Sequence, residues 1–554
     1  MLCLPGLIRA SLAVLPTKAP SYEAPDNPLD CDNQGHPNPP HCAKTTSRRR
    51  IVAFEFLKAD APAVITGDFE NYAKTIRDPQ ATLIARIEVG LPYLPNFSCH
   101  DRGMNADRLG VALLLGALVT AAHADITIDN FEPGEVVRHP VVVLRGHAGG
   151  DSIAVGQSWA NAGRTPVVKG EFRAIVELRP GPNMIVLQSG RDTMKYRIDY
   201  RPPTSPIKVL AIWVRAKDEP EDAYYYSPTG DRPRVREKFD TALKAIQCFY
   251  AEAMHDAGYG RKTFPLELDK NGKVVVHVLT VPKTGAEMRA MENNESWSYI
   301  YGLLSKEFPE NDTHWCAMLG FSGYDRGTKK SPGHYALGGG SLGAFGTGSM
   351  SHWPASLKEI QKVMTDATLL DPNQTFDDSA FRRTVWANVS TAWGAMAHEM
   401  GHTFGLPHSN DPFSVMSRGF DYVNRTFVVE EAPRAGVDHW VAVKPDEHSR
   451  WDKYSAAKLN WNPYFQPDLV RDTTSAAPSI RVDGDQVVIT AASGIRVWGA
   501  DRDDTTPVFS EFLKDAPTEV TTSLKELREK FKSPYRITVV DTAGRQVTID
   551  EKGQ

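Results

Sequence analysis

The 554-residue sequence predicts a mixed α+β fold, with β-rich segments flanking an alternating β/α centre. Three observations predict it. Residues 125–203 and 470–554 contain short period-two runs separated by turn residues. Residues 207–465 instead interleave continuous apolar runs with stretches of helical period. A breaker-free stretch at 385–397 leads into a histidine-rich turn.

Composition bounds the problem before any element is placed. The length suits two to four domains. Hydrophobic residues make up 41% and charged residues 24%, ordinary proportions for a globular chain. The formal net charge is −5 without a long basic or acidic block, which argues against nucleic acid or an anionic membrane as a partner. Cys3, Cys31, Cys42 and Cys99 fall before residue 100. Only Cys248 and Cys316 lie in the part expected to fold, and the absence of any Cys-x-x-Cys argues against a cysteine-held metal.

The N-terminal region reads as two pieces. Residues 1–103 are rich in proline and polar residues between 16 and 40 and carry Arg48, Arg49 and Arg50, without sustained periodicity. They are expected to be a spurious or disordered extension. Residues 104–124 open with Met104, carry Arg108, run apolar from Leu109 to Ala122 and end Ala122-His123-Ala124. That order is expected of a secretory signal peptide, too short to span a bilayer comfortably, the alternative being a buried apolar helix inside a larger N-terminal domain. Translation is therefore expected from Met104 and the mature chain from Asp125. The protein is then exported to the periplasm or the extracellular space, with no stable membrane span after signal cleavage. In such an oxidising space Cys248 and Cys316 either pair or remain separate thiols, and the sequence leaves both open.

The mature chain divides into three. In 125–205, a strand follows His139, Phe172, Ala174, Val176 and Leu178 alternate along another, and residues 195–200 close the set. Regular strands with turn signals suggest an immunoglobulin-like β-sandwich. Arg201-Pro-Pro-Thr-Ser-Pro is a stiff linker. In 206–465, residues 207–214, 273–280 and 313–321 read as strands. Val235, Phe239, Ala242, Leu243, Ile246, Phe249 and Ala253 form one face of a long helix. The glycine-rich stretch 333–348 lacks a Gly-Lys-Ser/Thr, so it is read as an irregular edge strand or loop with close backbone approach. Its flanking His334 and His352 either line the cleft or are solvated loop histidines, and the second is the expectation. Residues 466–554 form a smaller β domain, with strands at 486–490, 494–498 and 535–541.

Residues 398–408 read His-Glu-Met-Gly-His-Thr-Phe-Gly-Leu-Pro-His. His398 and His402 are four apart, so a helix presents both on one face. Gly405 can adopt the left-handed conformation that ends the helix, and the chain then returns His408 as a third nitrogen donor. Three histidines plus an open position are the catalytic pattern for zinc, one Zn2+ per chain. Glu399 is placed to act on a water beside the metal without ligating. Met416, eight residues beyond His408, is the expected methionine of a turn beneath such a site.

This block resembles the metzincin clan of zinc peptidases. With Gly338-Gly-Gly-Ser-Leu-Gly-Ala-Phe-Gly, Ser351-His-Trp-Pro and Met416-Ser-Arg-Gly-Phe-Asp-Tyr-Val-Asn-Arg, it resembles a little-characterised zinc metalloproteinase family of fungi and some bacteria. The similarity spans much of 125–550. It implies a metzincin-like catalytic domain with a twisted mixed sheet and an active-site helix, acting on a protein or peptide substrate with Glu399 as general base. Metzincins such as astacins carry a tyrosine two residues after the turn methionine. Here that position is Arg418, and Tyr422 lies off the pattern. Two other functions stay open: a secreted binding or adhesion protein with a vestigial zinc-peptidase fold, and a zinc hydrolase of a non-peptide bond. Neither Glu399 nor a candidate ligand is lost, which favours the peptidase.

Overall fold

The period-two runs at the start of the mature chain form strands because alternate residues can be buried on one face. The structure is a computed structural model that describes residues 126–551 except 158–159, 220–233, 472–473 and 504. The expected extension 1–103 and signal segment 104–124 lie outside the described residues. The first eight strands are β1 (Thr127–Ile128), β2 (Glu135–Val137), β3 (Val141–His147), β4 (Ser152–Gln157), β5 (Ala160–Val168), β6 (Glu171–Glu177), β7 (Gly181–Ser189) and β8 (Asp192–Tyr200). They form one sheet in the order β1-β3-β6-β5-β4-β7-β8-β2. Val142, Leu144, Phe172, Ala174 and Val176 from one half share a core with Ile153, Ile185, Leu187 and Ile198 from the other. The sheet therefore folds over itself.

The continuous apolar runs of the centre become a sheet buried on both faces. Its strands are β9 (Lys208–Ala216), β10 (Val276–Val281), β11 (Thr313–Leu319), β12 (Ala336–Gly339) and β13 (Leu342–Gly346), ordered β10-β9-β11-β13-β12. Every pairing is parallel except that of the edge strand β12, which runs antiparallel to β13. Val209, Ala211, Trp213 and Met318 pack against helices α1 (Val235–Asp256) and α4 (Val385–Thr403). Leu210, Ile212, Val214 and Ala317 face the opposite side. There they meet Met288 of α2 (Gly285–Ala290) and Ile300 and Leu304 of α3 (Asn293–Glu307).

Helix α1 departs from its sequence pattern. One apolar face is expected, yet nearly the whole helix is buried, including Lys244 and Glu252. Its polar face lies under the first β unit, where its charges meet partners. Lys244, with no exposed side-chain surface, pairs with Glu177 at 2.9 Å and Asp240 at 3.0 Å. Arg261 joins Glu252 at 2.6 Å to Glu135 at 2.7 Å, and Asn130 donates to Glu252 at 2.9 Å. A buried charge without such partners would be strongly unfavourable. On its other side, Tyr250 donates to the Ala397 carbonyl of α4 at 2.6 Å. Cys248 and Cys316 are separate buried thiols rather than a disulfide. Burial pushes both thiols up, Cys316 to about 12.

Beyond α4, short strands β14 (Glu430–Glu431) and β15 (Val441–Ala442) pair, and helix α5 (Lys453–Trp461) follows. The C-terminal part has strands β16 (Ser479–Asp483), β17 (Gln486–Thr490), β18 (Ile495–Arg502), β19 (Thr505–Glu511), β20 (Glu519–Ser523), β21 (Arg536–Asp541) and β22 (Gln546–Asp550). They form two sheets, β16-β17-β20 and β19-β18-β21-β22. Helix α6 (Leu524–Phe531), absent from the sequence reading, closes their core with Leu524, Leu527 and Phe531. Tyr454 and Ala457 of α5 pack with Val497 and Val540, joining this part to the centre.

The fold generates one acid-stability prediction. His139 has no exposed surface, and burial lowers its pKa from 6.5 to about 3. The folded protein thus refuses a proton that the unfolded chain accepts below its ordinary value. Stability should fall as pH drops from about 6.5 towards 3, by about 2–3 kcal/mol at pH 4.5 from this group alone. Urea unfolding at pH 7.5 and 4.5 should show a smaller acid loss in His139→Leu than in the wild type. Equal losses would assign the acid sensitivity to other groups.

Candidate metal centre

Helix α4 carries the motif, and its end sets the geometry. The helix lacks proline, and Trp393, Met396, Ala397 and Met400 anchor it in the central core. It terminates as the sequence predicts. Gly405 has φ of +78°, its N–H reaches the His402 carbonyl at 3.0 Å, and the Leu406 N–H reaches the Gly401 carbonyl at 3.1 Å. This pair of bonds is the Schellman termination, and the left-handed residue favours glycine. The reversal brings His408 back over the last helical turn.

His398, His402 and His408 each offer a ring nitrogen, all within 4.8 Å of one another. The first two Nε2 atoms are 3.1 Å apart. Each Nδ1 faces an oxygen instead: His398 the Val415 carbonyl at 2.8 Å, His402 the Leu406 carbonyl at 2.9 Å, and His408 the Asp503 carboxylate at 3.2 Å. A carbonyl only accepts, so the Nδ1 atoms of His398 and His402 donate. Burial lowers the pKa of His398 to about 3 and of His402 to about 4, which keeps both rings neutral. Their Nε2 lone pairs then face each other, and a cation between them relieves the repulsion. Three imidazoles suit zinc, so the donor set fits the ion that the sequence implies.

Glu399 lies beside the first histidine but takes no place in the cluster. Burial pushes its carboxyl up to about 8, opposed by a hydrogen bond from the Gly338 amide. A dication held by the adjacent histidines would draw that value down again, since positive charge favours the carboxylate. The edge strand β12 reaches Glu399 because of its glycine: a Cβ on Gly338 would stand 2.1 Å from the Glu399 carbonyl oxygen. The close backbone approach read from the glycine-rich stretch is thus located on α4. Met416 lies under the same helix, where a Cβ on Gly401 would stand 2.5 Å from its sulfur. The residue before it, Val415, supplies the carbonyl that holds His398.

All six singled-out residues, His398, Glu399, His402, Gly405, His408 and Met416, therefore gather around one end of α4. Other expectations need correction. His334 is not solvated, and His352 is only partly so. The His334 side chain is only 8% exposed and accepts from the Gly348 amide at 3.1 Å. His352 is half-buried, and its pKa is lowered by burial. Arg418 pairs with Asp421 at 2.6 Å and lies 4.7 Å over the Phe420 ring. The ring of Tyr422 is covered by the guanidinium of Arg425 at 4.0 Å. Asp503, on the turn between β18 and β19, was missed altogether. It lies 95 residues beyond His408, and nothing in its local sequence links it to the motif.

Residues 125–496 match the profile of a metallopeptidase family described as "Putative peptidase family". A "Putative zinc metalloproteinase" of Schizosaccharomyces pombe is 24% identical over 428 residues, covering 70% of this chain and 68% of its own length. Another protein so named, from Saccharomyces cerevisiae, is 24% identical over 411 residues, covering 63% of this chain and 57% of its own length. The chain thus spans about two thirds of the first relative and under two thirds of the second. Among solved structures, OgpA of Akkermansia muciniphila in complex with an O-glycopeptide superposes with a TM-score of 0.39 at 16% identity, covering 63% of this chain and 93% of that one. With the family profile matched over more than half of this chain, the chain belongs to this metallopeptidase family.

Proposed function

We propose that the protein is an exported zinc-dependent endopeptidase in which His398, His402 and His408 hold one zinc ion and Glu399 is the general base. The observation that carries the reading is the convergence of three imidazoles, two of them with Nδ1 on a backbone carbonyl, beside a carboxylate that does not join them. Zinc, when bound, supplies a Lewis acid that polarises the scissile carbonyl and makes water acidic enough to attack. Glu399 takes the proton from that water and delivers it to the departing amine. The Gly338 amide fixes the carboxylate for this task. Strand β12 is the sheet edge, so an extended substrate backbone can pair with it next to Glu399. Arg418 stands in place of the metzincin tyrosine, so no phenol assists there. Export rests on residues 104–124. The same proposal takes 125–205 as immunoglobulin-like, 206–465 as the metzincin-like catalytic domain and 466–554 as a C-terminal β domain.

Three variants test this reading. Glu399→Gln should keep its zinc by elemental analysis while kcat/KM on casein-derived peptides falls by about 10²–10⁴. Retained turnover would remove Glu399 from the base role. His402→Ala should lose the metal as well as activity, and zinc-replete wild type without peptide cleavage would overturn the peptidase assignment. Gly338→Ala, forced away from Glu399, should retain zinc but raise KM and lower kcat. Unchanged kinetics would separate β12 from substrate binding.

A further inference from the structure

The turn that carries His408 is held by the C-terminal β part. Gln546 of β22 packs against Gly405, where an added Cβ would lie 2.7 Å from the amide oxygen. Asn410 donates to Thr506 of β19 at 2.8 Å. The Asp503 Oδ2 atom faces His408 Nδ1 at 3.2 Å. Its other oxygen, Oδ1, receives the Arg536 guanidinium of β21 at 2.7 Å. Arg536 is fixed in turn by Asp501 of β18 at 2.8 Å, and Asp501 is buried. The family profile ends at residue 496, before Asp501, Asp503, Thr506, Arg536 and Gln546.

We propose that Asp503 is a positioning residue for His408, so that the C-terminal β part completes the metal centre. The inference rests on the reading that the three histidines hold zinc. His398, buried, and His402, half-buried, both lie in α4 and are oriented by carbonyls of their own neighbourhood. The His408 side chain is about half exposed and lies beyond the helix end, where its Nδ1 meets the Asp503 carboxylate instead of a backbone carbonyl. A carboxylate at Nδ1 supplies the missing constraint: it selects the tautomer that presents Nε2 and stops the ring from turning away. Asp503 can do this because Arg536 occupies only one of its oxygens. The arrangement divides labour between two oxygens of one carboxylate, one anchored to the β sheet and one directed at the ligand.

The test is zinc affinity of the full chain, measured by competition with a chromophoric zinc chelator, with thermal unfolding of the zinc-free protein as the fold control. Asp503→Ala should bind zinc about 10–100-fold more weakly. Asp503→Asn, which keeps an acceptor oxygen, should fall between it and the wild type. The unfolding midpoint of the zinc-free variants should stay near that of the wild type, and excess zinc should restore kcat. Wild-type zinc affinity in Asp503→Ala, alongside weakened binding in His408→Ala, would overturn the positioning role while leaving the metal centre intact. Unchanged binding in His408→Ala would overturn the reading of the centre itself, and the inference with it.

Discussion

The geometry of the candidate centre depends on where each imidazole places its Nδ1 proton. A neutral imidazole has one donor and one acceptor nitrogen, so engaging Nδ1 commits Nε2 to a lone pair. Val415, Leu406 and Asp503 make that commitment from three different places: the methionine turn, the helix termination and the C-terminal β part. The rest of the structure can be understood as bringing those three oxygens to one end of α4.

Packing does much of that work. Helix α4 is pinned to the sheet by Trp393, Met396 and Met400, and to α1 by the Tyr250 hydrogen bond. Beside it, Tyr250 meets Phe264 and Trp451 edge to face, with centroids 5.1 and 4.6 Å away. A dense aromatic base of this kind resists small displacements, which is what a ligand set needs. Helix α1 is clamped from outside by the first β unit through Lys244, Glu252 and Arg261. That β unit thus buttresses α4 from one layer away.

Glycine has two separate uses at the centre. At Gly405 the backbone is left-handed and turns His408 back towards its partners. At Gly338 and Gly401 the absence of a side chain lets β12 and the methionine turn touch α4 from opposite sides. The first use is visible in sequence as a helix-ending glycine. The second leaves only a glycine-rich stretch, whose meaning depends on what it is packed against.

The sequence by itself determined the motif, the helix that carries it, helix α1 and the strands with a clear apolar pattern, while α2, α3, α5 and α6 were not read from it. These are local matters: hydrophobic period, histidine spacing and the conformational freedom of Gly405 act within a few residues. Strands β9 and β11 were legible for the same reason, because a continuous apolar run implies burial on both faces. Only the tertiary structure decided what lies across space. It buried the polar face of α1, because the first β unit covers it. It kept Cys248 and Cys316 apart, one in α1 and one in β11. It removed His334 from solvent and brought Asp503 to His408 across 95 residues. Such contacts depend on the docking of whole elements, and periodicity within one element carries no information about its neighbour.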